Sequence, residues 1–591
     1  MHYNASMYAK NHSENNAPLT QNSDFLKKAY RAALFPSVLS ILSSCINILA
    51  DGIIVGQLLG LEGLAAINLT VPIYLVLCVI GSFFVSGTAI PASREVGRGS
   101  MEEAQRYYGY ALFCCLAASA VITVAGLAGI PWISRFLTPE PGVRKLVLWY
   151  GGITLAGAVV KILIYIPFWY LRLEGKNSAV TVMMIIMGGG NVILDIVFMY
   201  YMGWGIKGAA LASVIATAAA CLYGFVTLHT GRSNFTLRPA IPRKRVIWHK
   251  IFTAGSPAAL NNILQTFRLL AVNGILYATG GTLLVATFTA VNSISAFSEA
   301  VTVGVPSAAS AMMGVYYGEK DNDSIRILLQ EEARNGIGAW LVFSVIIVGT
   351  ANLIAAAYGL KGVAFRPIMI CFAIGMLPGL WNGIMTTFYN VSGNAIFADV
   401  LIALRVYVFA VASLYFCKIT NLYIWLFLPL SEFLAVLAWY VGSAILHKRR
   451  QNTTPYFLLD NQLAKSGRVI NFSLGGDETE ICDACEKIGD FCQENGMPPK
   501  TYMKISLSLE ELLVLIAQMN KETSIYFDIR VFALSGTVGI RIRYNGIFFD
   551  PISSVHREEE AFMGFRMIEK LVEQVVYVQT FGVNTLLILI E

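Results

Sequence analysis

Hydrophobic positions along this chain come in long unbroken runs, unlike the short alternations of a soluble sheet or the one-sided stripes of a surface helix. Runs of the roughly 20 residues that a bilayer-spanning helix requires begin near Ala32, Ile67, Tyr107, Leu146, Ala179 and Ile206, and again near Ile251, Leu283, Ile337, Val363, Phe397 and Tyr423. The pattern predicts an all-α polytopic membrane body of twelve transmembrane helices in two blocks of six. Several runs contain proline (Pro36, Pro72, Pro91, Pro167, Pro257, Pro306, Pro378), which membrane helices accept because neighbours re-satisfy the freed backbone groups. Beyond residue 450 the pattern changes. RVINFSLG, YFDIRVFAL, TVGIRIRYNG and VNTLLILIE read as strands, and 477–496, 499–520 and 559–574 as helices. That mixture predicts a C-terminal α+β sandwich, sheet on one side and helices on the other.

Charge sharpens the boundary. Residues 1–450 hold 49 of the 80 charged side chains at a net charge of +13; residues 451–591 hold the other 31 at −7. The whole chain is 56% hydrophobic and 14% charged, against roughly 25% charged in an ordinary globular domain, which excludes a soluble enzyme for the first part. Basic residues cluster before the first run (Lys27, Lys28, Arg31), after the second (Arg94, Arg98, Arg106), after the sixth (Arg232 to Lys250) and at the end of the twelfth (His447 to Arg450). By the positive-inside rule both termini are cytoplasmic. The positive charge therefore serves topology, and no nucleic-acid partner is expected. The expected divisions are a polar N-terminus (1–30), a first lobe (31–228), a basic linker (229–250), a second lobe (251–446), a further linker (447–466) and the soluble domain (467–591). Seven cysteines in or beside the apolar runs read as small hydrophobes. Cys482, Cys485 and Cys492 read as three buried thiols on one helical face, and with no second ligand pair no metal site is expected.

The two blocks repeat. At an offset of 221 residues Pro36 meets Pro257, Gly60 meets Gly281, Ala65 meets Ala286 and Gly97 meets Gly318; Glu174-Gly175 meets Ser392-Gly393 at 218. An even helix number per block gives both the same orientation, and sites in such repeats lie near the midplane.

Ionisable groups inside apolar runs are costly and by default mark function. They are Asp51, Lys161, Asp195, Arg268, Glu299, Arg405 and Glu432. Asn47 precedes Asp51 by four residues and Asn191 precedes Asp195 by four, so each amide shares a helix face with its acid. Two such faces turned inward would place two carboxylates in a low-dielectric pocket, where gaining or losing a proton is the natural way to change charge. Glu299 is the one deep carboxylate expected in the second block, with a functional or a structural role equally open. Glu432 and the basic residues read as structural pairs.

FPSVLSILSSCINILADGIIVGQLLGLEGLAAINLTVPI, YLRLEGKNSA and GNVILDIVFMYYMGWGIKGAALAS, with GSPAALNNI and ATGGTLLVATFTAVNSI in the second half, resemble segments of the multidrug and toxic compound extrusion (MATE) family over about residues 25–446. The resemblance implies a V-shaped pair of six-helix lobes, a secondary transporter and not an enzyme, exporting small cationic or amphipathic molecules across a bacterial plasma membrane by ion-coupled antiport. It also implies that Asp51 and Asp195 match the two first-lobe acids of proton-coupled members, Asn191 the amide beside the second, and Pro36 the proline at which the first helix bends on protonation. Asn47 stands where several members have tyrosine. The seventh and tenth helices (255–279, 364–390) lack the acids of sodium-coupled members, so H⁺ is favoured as coupling ion over Na⁺. A membrane-tethered signalling protein and a flippase of lipid-linked substrates are the competing readings.

The tail resembles the ATP-binding domain of anti-sigma-factor serine kinases, of the histidine-kinase-like ATPase superfamily, through SLEELLVLIAQ, YNGIFFDP and MGFRMIEKLVEQVVYVQTFGVNTLLI. Its chemistry is eroded. Glu511 is kept, but Leu515 stands where an Asn would hold Mg²⁺. Asn545, beside Gly546, replaces the adenine-reading Asp, and Gly564 alone remains of the lid glycines. The expectation is an inactive ATPase-like domain, without a resident cofactor, that binds a cytosolic regulatory partner.

Overall fold

The computed structural model describes residues 24–230, 233–358, 360, 362–450, 452–460, 469–494, 496, 498–520, 525–534, 537–547, 574–581 and 583–590. Side chains at 24, 25, 44, 47–53, 56, 60, 61, 64, 501, 504, 508, 534, 537, 574 and 590 are outside that description. The chain divides into a unit of Leu26–Asp460 and a unit containing Asn461–Glu591.

The first unit is helical: α1 (Asp24–Gly97), α2 (Met101–Leu137), α3 (Pro141–Ala156), α4 (Ala158–Leu163), α5 (Tyr165–Leu173), α6 (Asn177–Asp195), α7 (Gly205–His229), α8 (Arg245–Thr302), α9 (Gly304–Gly318), α10 (Asn322–Gly349), α11 (Ala351–Ala357), α12 (Phe365–Val391), α13 (Ala395–Ala403), α14 (Phe409–Ile419) and α15 (Phe427–Arg449). π-Helical turns at Ile196–Tyr201 and Leu404–Val408 follow α6 and α13. Among the described residues nine helices are long and apolar enough to cross a membrane, or ten if the bent pair Pro141–Ala156 and Ala158–Leu173 is one span. Where the sequence predicted two helices each, helical backbone runs through α1 and through α8; α8 is broken only at Gly280 and Gly281, the latter at φ 64°. Large apolar side chains such as Phe136, Trp132, Val124 and Leu222 face outward. A belt of that kind is stable only against lipid.

The repeat is visible where the two halves meet. A Cβ on Gly97 would land on the carbonyl oxygen of Val315, and a Cβ on Gly318 on that of Arg94. The same 221-residue offset relates both members of this reciprocal contact, so each glycine exists to let the other helix's backbone approach. Arg94 stitches the crossing by donating from Nε to Val391 O (2.8 Å) and from Nη2 to Asn390 O (2.7 Å).

Both expected linkers are partly docked on the body. Glu174 accepts from Ser233 Oγ (2.7 Å) and from the Asn234 N–H (2.9 Å), while Phe235 is buried against Tyr108 and Tyr170. Beyond α15, buried Leu458 and Leu459 and a hydrogen bond from Tyr389 Oη to Tyr456 O hold 452–460 to the helices. The expected linker at 447–466 is thus fixed to the body over 452–460 by a few apolar anchors.

The second unit contains β1 (Val469–Gly475), α16 (Glu478–Glu494), α17 (Pro499–Met519), β2 (Tyr526–Leu534), β3 (Thr537–Tyr544), β4 (Gln574–Thr580) and β5 (Val583–Ile590). The strands form an antiparallel sheet of order β1-β2-β3-β5-β4. Phe472, Phe527, Ile529, Ile540 and Ile588 share a core with Ile481, Ile488, Leu509 and Leu513 from the helices. Alternate positions carry a buried charged cluster in which Arg541 Nη2 lies 2.9 Å from Asp528 Oδ2. β4 is a strand the periodicity did not resolve. The expected helix at 559–574 lies outside the described residues up to 573.

Cys485 and Cys492 are buried as expected, but Cys482 is exposed, its sulfur 4.0 Å from Glu510 Oε1. The three thiols are thus not on one buried face, because a three-residue step rotates Cys482 towards the helix edge. Burial pushes the Cys485 thiol up to about 12 and Cys492 up to about 11. The thiolate is the reactive form, so of these three only Cys482 should be alkylated by maleimide at pH 8 in the native protein, and all three in urea. Mass spectrometry of the labelled peptides checks this; native labelling of Cys485 would contradict the packing.

Candidate functional site

α6 ends in the tract GGGNVILD, and its last residue, Asp195, is fully buried. Asn191 Nδ2 donates to Asp195 Oδ2 at 3.1 Å, the i, i+4 pairing expected of one helix face. The π-helical turn at Ile196–Tyr201 starts on the next residue. Such turns widen the helix and break its hydrogen-bond ladder, and they recur at functional sites.

α1 lies alongside this element. Thr181 Oγ1 donates to the Pro36 carbonyl at 3.0 Å, and Val55 shares a buried cluster with Met199 and Ala209. Pro36 and Val55 are nineteen residues apart; Thr181 and Met199 are eighteen apart. The two helices therefore run parallel in nearly matched register. Asp51, one turn before Val55, comes level with Asp195, one turn before Met199. The Asp51 and Asn47 side chains lie outside the described ones. Pro36 lacks an N–H to bond back along α1, and its own carbonyl is held by Thr181, so the proline is a deformable point tied to the helix that carries Asp195.

The charged groups of the second half converge where no local sequence pattern could have announced it. Arg268 and Glu299 of α8, Arg405 of the second π-helical turn and Glu432 of α15 line one cavity of about 170 Å³. Arg405 Nε donates to Glu432 at 2.8 and 3.1 Å, and Asn382 Nδ2 adds a 2.8 Å bond to the same carboxylate. The structural pairing expected of Arg405 and Glu432 is present. Glu299 faces the cavity, yet it is not the only deep carboxylate of this half, since Glu432 shares the space. A further acid was missed. Glu332 of α10 is fully buried, and neither of its carboxylate oxygens has a hydrogen-bond partner among the described residues. Its sequence context, QEEAR, reads as a solvated face. Lys161, also an intramembrane charge, donates to Ser213 Oγ at 2.9 Å and lies over the Tyr74 ring.

In the tail, Asn545 Oδ1 accepts from the Tyr526 N–H at 2.6 Å. Gly546 has φ 129° and abuts Asn520, whose Oδ1 accepts from the Ile547 N–H at 2.7 Å. This strand end is occupied by its own turn. Glu511 is exposed and makes no hydrogen bond among the described residues, Leu515 is buried, and Gly564 lies outside the described residues.

Residues 36–217 match the family model MatE. The chain is 26% identical over 273 residues to the multidrug export protein MepA of Staphylococcus haemolyticus, covering 46% of this chain and 59% of that protein. It is 24% identical over 281 residues to MepA of Staphylococcus aureus (strain MRSA252), covering 47% and 62%. The chain thus spans less than two thirds of these curated relatives. Among solved structures, an outward-facing multidrug resistance MATE transporter of the MOP superfamily aligns with a TM-score of 0.68 at 21% identity, over 74% of this chain and all of that one. A MOP superfamily transporter from Pyrococcus furiosus, described as having a binding pocket of reverse polarity, aligns with a TM-score of 0.67 at 21% identity, over 72% and 97%. At such identity the structures speak for the fold. The helical body therefore has the fold of these transporters, and residues 36–217 are similar in sequence to the MatE family.

Proposed function

We propose that this protein is a proton-coupled antiporter that exports small cationic or amphipathic molecules across a bacterial plasma membrane, with Asp195 and Asp51 as the coupling acids. The observation that carries the reading is Asp195: a wholly buried carboxylate with an amide partner, at a helix irregularity, level with a second acid on a proline-containing helix. Buried charge of this kind is expensive, and a proton or a cationic substrate would relieve it alternately. Exchange of the two at one site is antiport. Sodium coupling through the second half is disfavoured because two guanidinium groups share the cavity of Glu299 and Glu432.

The twelve-helix, two-lobe arrangement belongs to the same proposal. A straight α1 of 74 residues would be about 110 Å long, several times a bilayer core of roughly 30 Å. Counting its stretch before Ala65 as a span, and dividing α8 at Gly280 and Gly281, raises ten spans to twelve. The test is dye export from proteoliposomes: an imposed pH gradient should drive ethidium movement, and a sodium gradient at constant pH should not. Movement driven by sodium alone would replace the proton reading.

The tail reads as an anti-sigma-kinase-like domain that acts by binding a cytosolic partner. Phosphoryl transfer needs placed metal and phosphate contacts, and Leu515 offers no ligand. Full-length protein should therefore show no magnesium-dependent ATP hydrolysis. Micromolar ATP affinity by calorimetry, lost in Glu511→Ala, would restore a nucleotide role.

A further inference from the structure

We infer that the second-half cavity is a binding site for an amino-acid-sized zwitterion, one carrying a carboxylate, an ammonium group and a short apolar side chain. This goes beyond the proposed export of cations and uses none of its coupling residues. Four charged groups line the cavity, and they are not equivalent. Arg405 and Glu432 satisfy each other through two Nε contacts, with Asn382 completing the carboxylate. Arg268 and Glu299 do not. Among the described residues Arg268 makes no hydrogen bond or ion pair, and its Nε is buried without a partner. Glu299 likewise accepts no hydrogen bond there, and it is open to the cavity.

An uncommitted guanidinium and an uncommitted carboxylate facing one space are each costly to leave bare. They could have closed on each other, as Arg405 and Glu432 do, and they remain apart. A ligand with both charges repays both: the guanidinium offers a two-pronged match to a carboxylate, and the Glu299 carboxylate accepts from an ammonium. A simple cation would meet two guanidinium groups, and a simple anion two carboxylates. Only a ligand bearing both charges is complementary throughout.

Size narrows the class. A cavity of roughly 150 Å³ holds a benzene molecule, while drug-sized ligands occupy about 300–1,000 Å³. At about 170 Å³ this space suits an amino acid and excludes a typical drug. Phe288, Phe372, Met376 and Phe427 supply apolar wall, against which a leucine-like side chain loses its contact with water.

The test is calorimetric titration of full-length protein in detergent with L-leucine, L-leucinamide, which lacks the carboxylate, and N-acetyl-L-leucine, which lacks the ammonium. Leucine should bind, and each analogue should bind at least 30-fold more weakly. Arg268→Gln should erase the preference for leucine over leucinamide, and Glu299→Gln the preference over N-acetyl-leucine. Asp195→Asn should leave all three affinities unchanged, which separates this site from the export reading. The analogue comparison needs no variant, so a misfolded Arg268→Gln does not blunt it. No binding of leucine at millimolar concentration, or equal binding of leucine and leucinamide to the unaltered protein, would overturn the inference.

Discussion

Asp195→Asn is expected to reduce proton-driven export at least 100-fold while leaving the protein folded. The replacement has the same shape, and its amide can still pair with Asn191, whose Nδ2 now donates to Asp195 Oδ2 at 3.1 Å. What it loses is the capacity to change charge. A carboxylate whose role is to hold α6 and its π-helical turn in place would be replaced by Asn with little change in turnover, because the hydrogen bond survives. The two roles thus separate cleanly. Dye export from proteoliposomes under a fixed pH gradient, beside thermal unfolding of the same preparation, is the assay. Export within a few-fold of the unaltered protein would reduce Asp195 to a structural group.

The second large effect concerns the glycine crossing. Gly97→Leu is expected to abolish transport although it touches neither charged site. Its side chain would have to occupy the position of the Val315 carbonyl, and Gly318→Leu that of the Arg94 carbonyl. A side chain in the way can rotate; backbone cannot. Overpacking costs about 1–3 kcal/mol even where side chains can yield, and each 1.4 kcal/mol is tenfold in population. The closed crossing should therefore be at least tenfold less populated. Ser93, buried beside Gly314 in the same crossing, provides the reporter: maleimide labelling of Ser93→Cys should be at least tenfold faster with Gly97→Leu than without it. Unchanged labelling and unchanged transport would mean that the crossing is not part of the working cycle.

Much of this was legible in the sequence, for reasons that differ by element. Apolar runs report membrane helices because nothing else tolerates them, and the i, i+4 spacing of Asn191 and Asp195 gave their contact before any coordinates. The 221-residue repeat placed Gly97 opposite Gly318 in register, though not in contact. Convergence was invisible. Arg268, Glu299, Arg405 and Glu432 come from three separate stretches of chain, and periodicity within one helix carries no information about its neighbours. The same limit hid Glu332, whose burial is decided by α10's surroundings and not by its local pattern. Cys482 failed in the opposite way: a helical face was predicted, but its edge was counted as its centre.

If Asp195 and Asp51 couple proton movement to export as proposed, substrate binding should displace protons. Protein in weakly buffered detergent solution at neutral pH, mixed with a cationic dye, should release protons in proportion to dye bound, followed by a pH indicator. Asp195→Asn should bind dye and release none. Release of equal size from Asp195→Asn, or dye binding by the unaltered protein with no release at all, would rule out Asp195 as the coupling acid.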